Sequence, residues 1–390
     1  VASTASRRGP AVIDQALVLW LPGPASATGE DVAEFHVHGG RAIVEAVLSA
    51  LGAVPGLRPA ERGEFTRRAV ENGKLDLTRA EGLADLIDAE TESQRRQALE
   101  QYKGAFFRLC EDWRARLIKL CAWAEAEIDF SDEELDADLA QRVEQGIRAL
   151  LGEIRAQLAD GRRGEIVREG LHLAVVGPPN AGKSSLLNAL AQRDIAIVSE
   201  IPGTTRDVLE ARLDLGGTLV IAADTAGLRE SGEAIEAEGV RRALARAEHA
   251  DIVLLLLDGT ANDPHAGLPE QVTADARVLT VWNKSDLPWP EPREGLRISV
   301  RTGEGFEALL ASLMERVRGA AGESALVTRA RHRDALTDAA EALTRAGAGQ
   351  SPELVAEDLR LALRAIGRIT GRVDVEDLLD VIFRDFCIGK

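Results

Sequence analysis

Gly177-Pro-Pro-Asn-Ala-Gly-Lys-Ser184 decides how the middle of this chain is read. It follows the apolar run Leu171–Val176 and opens the pattern SSLLNALA at 184–191. A buried strand, a glycine-rich turn and a helix start in that order are the context a phosphate-binding P-loop requires. The glycines let backbone N–H groups turn toward phosphate oxygens. Asn180, Ala181, Gly182, Lys183, Ser184 and Ser185 would line the phosphates. Lys183 is expected to reach the β- and γ-phosphates and Ser184 to ligate Mg²⁺.

Further pieces follow in chain order. Thr204 and Thr205 of IPGTTRD suit the segment whose hydroxyl completes the Mg²⁺ shell. Asp224-Thr225-Ala226-Gly227 ends an apolar run; its carboxylate suits Mg²⁺ through water, and Gly227 suits the γ-phosphate. Asn283-Lys284-Ser285-Asp286 follows another such run. A carboxylate at 286 accepts from guanine N1–H and the 2-amino group, which adenine cannot supply, so ATP would leave it unpaired. Ser299-Val300-Arg301 then fits the loop that backs the base. NKSD alone is weak; these elements together, each behind its strand, imply a GTPase. Leu228 stands where Ras-like proteins carry the Gln that orients the attacking water. Another polar group must take that role, or hydrolysis is slow; Glu230, Glu233, Glu236 and Glu238 follow. Asn180 could also hold a monovalent cation.

The pattern spreads outward from that centre. Strands are expected at Leu171–Val176, Leu219–Ala223, Ile252–Leu257 and Val278–Trp282, making a parallel α/β unit over 170–318. Residues 1–73 mix short β-like runs, Ala16–Leu21 and Val32–Val37, with a helical stretch Arg41–Leu51. From 74 to 169 the periodicity is helical. Tyr102, Phe106, Leu109, Trp113, Leu117, Leu120, Ala124 and Ile128 form one apolar stripe, expected to be bundle core on a single long helix. Helical patterns return over 319–390, at Ala330–Arg345, Pro352–Thr370 and Val375–Phe386. The expected architecture is multidomain: a small N-terminal α/β domain, a helical bundle, and a Ras-like P-loop domain inserted into that bundle.

Composition bounds the function. The chain has 390 residues, 45% hydrophobic, with 64 acidic against 47 basic side chains and a net charge of −17. Such acidity argues against non-specific binding to nucleic acid or anionic membranes. Cys110, Cys121 and Cys387 have no zinc or CxxC spacing, which points to a reducing cytoplasm. The run Ile252–Leu257 is too short for membrane insertion, and no basic-then-apolar leader opens the chain. The acidic run Asp129–Asp138 reads as a solvated connection between helices in preference to a metal site. His36 and His38 alternate on one strand face, yet no third ligand supports a metal; a strand running into the Gly39-Gly40 turn is the better account.

Three stretches outside the P-loop unit, at 29–40, 62–89 and 386–390, make the chain resemble the MnmE (TrmE) tRNA-modification GTPases. PNAGKSSLLNAL and IPGTTRD are shared with the Era and Der GTPases. GEDVAEFHVHGG (29–40), RGEFTRRAVENGKLDLTRAEGLADLIDA (62–89) and the terminal FCIGK (386–390) carry the distinction. The resemblance implies a cytoplasmic homodimer that joins the FAD-bearing flavoprotein MnmG (GidA) in a heterotetramer. Together they form the 5-carboxymethylaminomethyl or aminomethyl group on the wobble uridine (U34) of tRNA. The one-carbon donor is a tetrahydrofolate derivative, 5-formyl- or methylene-tetrahydrofolate, bound by the N-terminal domain. Hydrolysis requires K⁺ and is stimulated when two G domains pair. Carried onto this chain, K⁺ falls to Asn180, Ser199, Ile201 and Thr204, and Mg²⁺ to Ser184 and Thr205. Glu236 becomes the water-orienting group, and Glu34, Lys74 and Lys390 become folate contacts. Cys387 is either a reaction-site thiol or a small apolar residue, the commoner role. The family's segment ahead of GEDV is longer, with a glycine-rich run and a folate-contacting arginine. Val1–Pro10 do not match it, so an incomplete start is expected. A ribosome-assembly switch of the Era or Der type is the alternative reading; a lipid-binding GTPase of the dynamin type ranks last, because no basic amphipathic helix is present.

Overall fold

The computed structural model describes residues 2–3, 11–129, 138–193, 195–197, 210–224, 250–266, 268, 277–321, 325–349 and 351–373. The chain divides into two compact units. One comprises Val1–Ala84, Gln101–Arg148 and Asp338–Lys390; the other comprises Asp85–Glu100 and Ala149–Thr337.

The first unit opens with two antiparallel pairs. Strand β1 (Ala2–Ser3) pairs with β2 (Ala11–Val12). Strand β3 (Leu17–Leu21) pairs with β4 (Val32–His36), Leu19 facing Glu34. Helices α1 (Arg41–Gly52), α2 (Glu64–Glu71) and α3 (Leu77–Ile87) follow. The expected apolar stripe is split between two helices: Tyr102 ends α4 (Glu92–Tyr102), whose residues up to Glu100 belong to the second unit, and the rest lies on α5 (Ala105–Asp129) of the first. The single-helix expectation is therefore corrected. Gly104 adopts φ +81, the left-handed region that ends helices, and its N–H closes on the Gln101 carbonyl at 2.8 Å. Tyr102 thus ends α4, while Phe106, Trp113, Leu117, Leu120 and Ala124 are buried along α5.

Helix α5 packs along α10 (Pro352–Thr370), the last described helix, in the same unit. Arg360 reaches Glu125 at 2.9 Å, and Arg372 grips Glu111 through two bonds at 2.8 and 2.9 Å. Cys110 and Cys121 are buried on α5 and form no disulfide with each other; burial, with the Glu125 charge nearby, pushes the Cys121 thiol up to about 11. The Phe106 ring is fully enclosed. Phe106→Ala should cost about 3–5 kcal/mol through lost transfer energy plus cavity. A lower urea midpoint at unchanged m-value is the expected result; an unmoved midpoint would remove Phe106 from the core.

The second unit is built on a six-stranded sheet ordered β10-β9-β8-β5-β7-β6. Its strands are β5 (Leu171–Val176), β6 (Glu210–Leu215), β7 (Thr218–Asp224), β8 (Ile252–Asp258), β9 (Val278–Asn283) and β10 (Leu296–Arg297). All neighbours are parallel except β6 against β7. The four expected strands are present within a residue at each end. Strands β6 and β10 were not expected. Residue alternation sends Leu173, Val175, Leu254 and Leu256 to one buried face and Ala174, Val176, Val253, Leu255 and Leu257 to the other. A parallel sheet covered on both sides therefore reads as unbroken apolar sequence.

Helix α7 (Lys183–Ala191) follows β5, and α8 (Phe306–Ala321) covers the first face. Helices α6 (Asp138–Glu169) and α9 (Ala330–Ala346) complete the described helices. Within this unit the α6 backbone at Gly164 comes so near the Val327 carbonyl that an added Cβ would sit 2.0 Å from its oxygen. The β6–β7 turn, Gly216-Gly217, has φ of +67° and +87°, the conformation two-residue hairpins need. The Gly217 carbonyl accepts from Ser93 N–H at 3.0 Å, satisfying one of the free donors at the start of α4. Among the described residues, no helix is long and apolar enough to cross a membrane.

The expected helix Val375–Phe386 and most of the acidic run Asp129–Asp138 lie outside the described residues. His36 and His38 do not share a ligand site: His36 contacts Glu34 at 3.1 Å, and His38 is held by Asp14 at 2.9 Å. Among the described residues no group of three or more metal-ligating side chains converges.

Candidate functional site

The strand order reverses at β5, which has β7 on one side and β8 on the other. Such a switch point opens a crevice at the carboxyl ends of the strands, and the P-loop leaves β5 there. Gly177 has φ +155, and a Cβ on it would lie 2.1 Å from the Leu256 carbonyl oxygen. Only glycine fits that close approach. Asn180 turns the loop with φ +60 and Gly182 with φ +99. Helix α7 then begins at Lys183 with no acidic residue in its first turn. The positive dipole end of this helix start favours an anion. The Lys183 ammonium donates to the carbonyls of Gly177 and Pro178, 2.8 Å each. This arches the side chain over the loop. Ser184 and Ser185 are exposed on the first turn.

Asp224 ends β7 in register with Val175, which brings its backbone beside the last turn of the P-loop strand. The parallel β8–β9 register likewise sets Asp258 beside Asn283. Asn283 is almost fully buried and joins two loops. Its amide donates to the Ala181 carbonyl at 2.8 Å, and its carbonyl oxygen accepts from Val300 N–H at 3.1 Å. The phosphate loop and the base loop are thereby one construction.

Asp286 receives the Ser299 hydroxyl on one oxygen and the Arg301 guanidinium on the other, both at 2.6 Å. The Ser299 bond is the largest cause holding its carboxyl below the usual carboxylate range; desolvation opposes it, and a backbone N–H bond and the Arg301 guanidinium add to the lowering. It is an ionised acceptor at neutral pH, as reading guanine N–H groups requires. Thr302 N–H donates to Ser299 Oγ at 3.1 Å and orients that hydroxyl. Lys284, at φ +66, places its ammonium 2.5 Å from Asp258. The residues suit a magnesium nucleotide: a helix start free of carboxylates, a serine on its first turn, and an acid at the neighbouring strand end.

Sequence reasoning missed Asp258 and Trp289. The first carries a visible signal, an acid ending an apolar run; the second carries none. Thr204, Thr205, Ser199, Ile201, Thr225, Ala226, Gly227, Glu236, Cys387 and Lys390 lie outside the described residues, as does the side chain of Asp224. Of the suggested folate contacts, Glu34 lies on β4. Lys74 follows α2, with its N–H on the Ala69 carbonyl at 2.7 Å.

A P-loop at a switch point, joined through one asparagine to a loop carrying an ionised aspartate for guanine, defines a GTP hydrolase of the P-loop class. Comparison with known proteins is more specific. The MnmE helical domain profile matches residues 77–387, and the GTP-binding protein TrmE N-terminus profile matches 1–74. The tRNA modification GTPase MnmE of Parvibaculum lavamentivorans is 60% identical over 97% of this chain and 87% of its own length. That of Rhodospirillum rubrum is 58% identical over 98% and 86%, and that of Methylorubrum populi 57% over 97% and 86%. The Aquifex aeolicus Era structure aligns with 44% of this chain and 66% of that chain at 25% identity. Its TM-score of 0.29 is too low to weigh in the assignment. The chain belongs to the MnmE family.

Proposed function

We propose that this chain is a K⁺-dependent GTPase acting with the flavoprotein MnmG to build the 5-carboxymethylaminomethyl or aminomethyl group on U34 of tRNA. The one-carbon unit comes from a tetrahydrofolate. The observation that carries the GTPase core of this reading is Asn283, bonded to Ala181 in the phosphate loop and to Val300 in the base loop. A ligand filling that construction needs both a polyphosphate and a guanine. The tRNA substrate is supported by the names of relatives that match almost the whole chain. Membership of the MnmE family displaces the Era- or Der-type alternative.

In this proposal residues 1–73 bind the folate, with Glu34 and Lys74 in contact and Lys390 reaching them. Residues 74–169 and 319–390 form the helical domain, and 170–318 the G domain. Lys183 meets the β- and γ-phosphates, while Ser184 and Thr205 hold Mg²⁺. Asn180, Ser199, Ile201 and Thr204 hold K⁺, and Glu236 orients the attacking water. When bound, the two cations supply positive charge to the transferring phosphoryl group. The chain works as a cytoplasmic homodimer whose G domains pair face to face, in a heterotetramer with MnmG, which carries the FAD.

Two measurements test these points. Replacing KCl by NaCl at equal ionic strength should slow GTP turnover strongly. Equal rates in both salts would end the K⁺ assignment. 5-Formyl-tetrahydrofolate should bind the full chain and bind more weakly to a version lacking Cys387–Lys390. Equal binding would take the tail out of the pocket, and no binding to either would remove the folate assignment from this chain.

A further inference from the structure

We propose that Trp289 is a positioning residue for guanine selection, its indole N–H holding the backbone turn that carries Asp286. This rests on the reading of Asn283–Asp286 as the guanine loop. The turn needs support, because Lys284 sits at φ +66, a conformation that residues other than glycine seldom adopt. Two fastenings are visible. The Lys284 ammonium is held by Asp258 at 2.5 Å. The Lys284 carbonyl accepts from Trp289 Nε1 at 2.9 Å and from Leu287 N–H at 3.1 Å. The second of these bonds closes the turn around Asp286; the first ties it to a side chain outside the turn.

The indole is itself held in place. Gly259 lies against it so closely that an added Cβ would be 2.2 Å from the ring. The Gly259 N–H bonds to the Asn283 carbonyl at 3.0 Å, so ring, glycine and loop are linked. The Arg297 guanidinium lies 5.0 Å from the Trp289 ring centre, and the Trp282 ring 6.3 Å away at a tilt. A phenylalanine could fill the same apolar space. Only the indole brings a donor to the carbonyl, so the N–H is what the position specifically requires.

The consequence falls on selectivity. Guanine offers Asp286 two donors, N1–H and the 2-amino group, while hypoxanthine offers only N1–H. Accepting both requires the carboxylate plane to be set, and the backbone turn together with Ser299 sets it. A loosened turn loses the second bond first, so GTP should weaken more than ITP.

The test measures GTP and ITP affinity on the full chain by competition against a fluorescent guanine nucleotide. Trp289→Phe should weaken GTP about fivefold, the worth of one ordinary hydrogen bond, and weaken ITP less, so the GTP/ITP ratio falls. Gly259→Ala, which displaces the ring, should shift the ratio the same way. Leu313→Ala, which opens the core on the other face of the sheet from the indole, should leave the ratio unchanged. An unchanged ratio in Trp289→Phe overturns the proposal while the guanine reading stands. An equal fall in Leu313→Ala also overturns it, since general loosening would then suffice. If the unmodified chain shows no preference for GTP over ITP, the guanine reading fails and this inference with it.

Discussion

Asp286→Asn should move the base preference of this chain from guanosine to xanthosine triphosphate. The carboxylate oxygens at 286 can only accept, and guanine presents two donors to them. An asparagine amide puts N–H₂ where the 2-amino group points, setting donor against donor. Xanthine carries an oxygen at that carbon, which the amide can serve. A site built around a buried polar partner rejects the mismatched ligand by up to about 10⁴-fold. The Ser299 bond to the retained oxygen should keep the side chain oriented. The measurement is competitive binding of the two nucleotides. A persistent preference for GTP would show that another group reads the base.

Glu236→Ala should leave GTP binding intact and lower kcat on the order of 10²-fold or more, the usual worth of a positioned acid–base group. Leu228 follows Asp224–Gly227, and its apolar side chain cannot orient water. Ground-state affinity should hold, because the groups proposed to grip the nucleotide belong to the P-loop and the 283–301 region. Single-turnover hydrolysis alongside equilibrium binding separates the effects. Unchanged hydrolysis would give the water to another of the acidic residues between 229 and 239.

Some of the site was legible because its determinants are local. Gly177 and Gly182 set the P-loop through their own dihedral angles, and the strand before and helix after lie within a few residues. The Gly216-Gly217 hairpin was legible too, between the alternating EARLDL and a strand, yet β6 went unread; attention to Gly-Gly as a hairpin turn would have found it. Gly104 was harder. Tyr102 and Phe106 are four apart, so apolar periodicity runs straight across the break. Periodicity records which residues face a core and is blind to one left-handed residue.

The sequence by itself determined the P-loop, the guanine motif, the buried character of the parallel strands and the family resemblance. Each is written in short stretches whose meaning depends on near neighbours. Tertiary structure alone decided how the motifs are joined. Asp258 and Lys284 are far apart in the chain and meet because β8 and β9 pair in parallel, with Asp258 opposite Asn283. Asn283 reaches Ala181 because β5, β8 and β9 end together at one edge. Trp289 finds the Lys284 carbonyl because Gly259 leaves room for the ring. Hydrogen bonds and close packing depend on separations of a few ångströms in space, and chain order constrains those only after the sheet has formed.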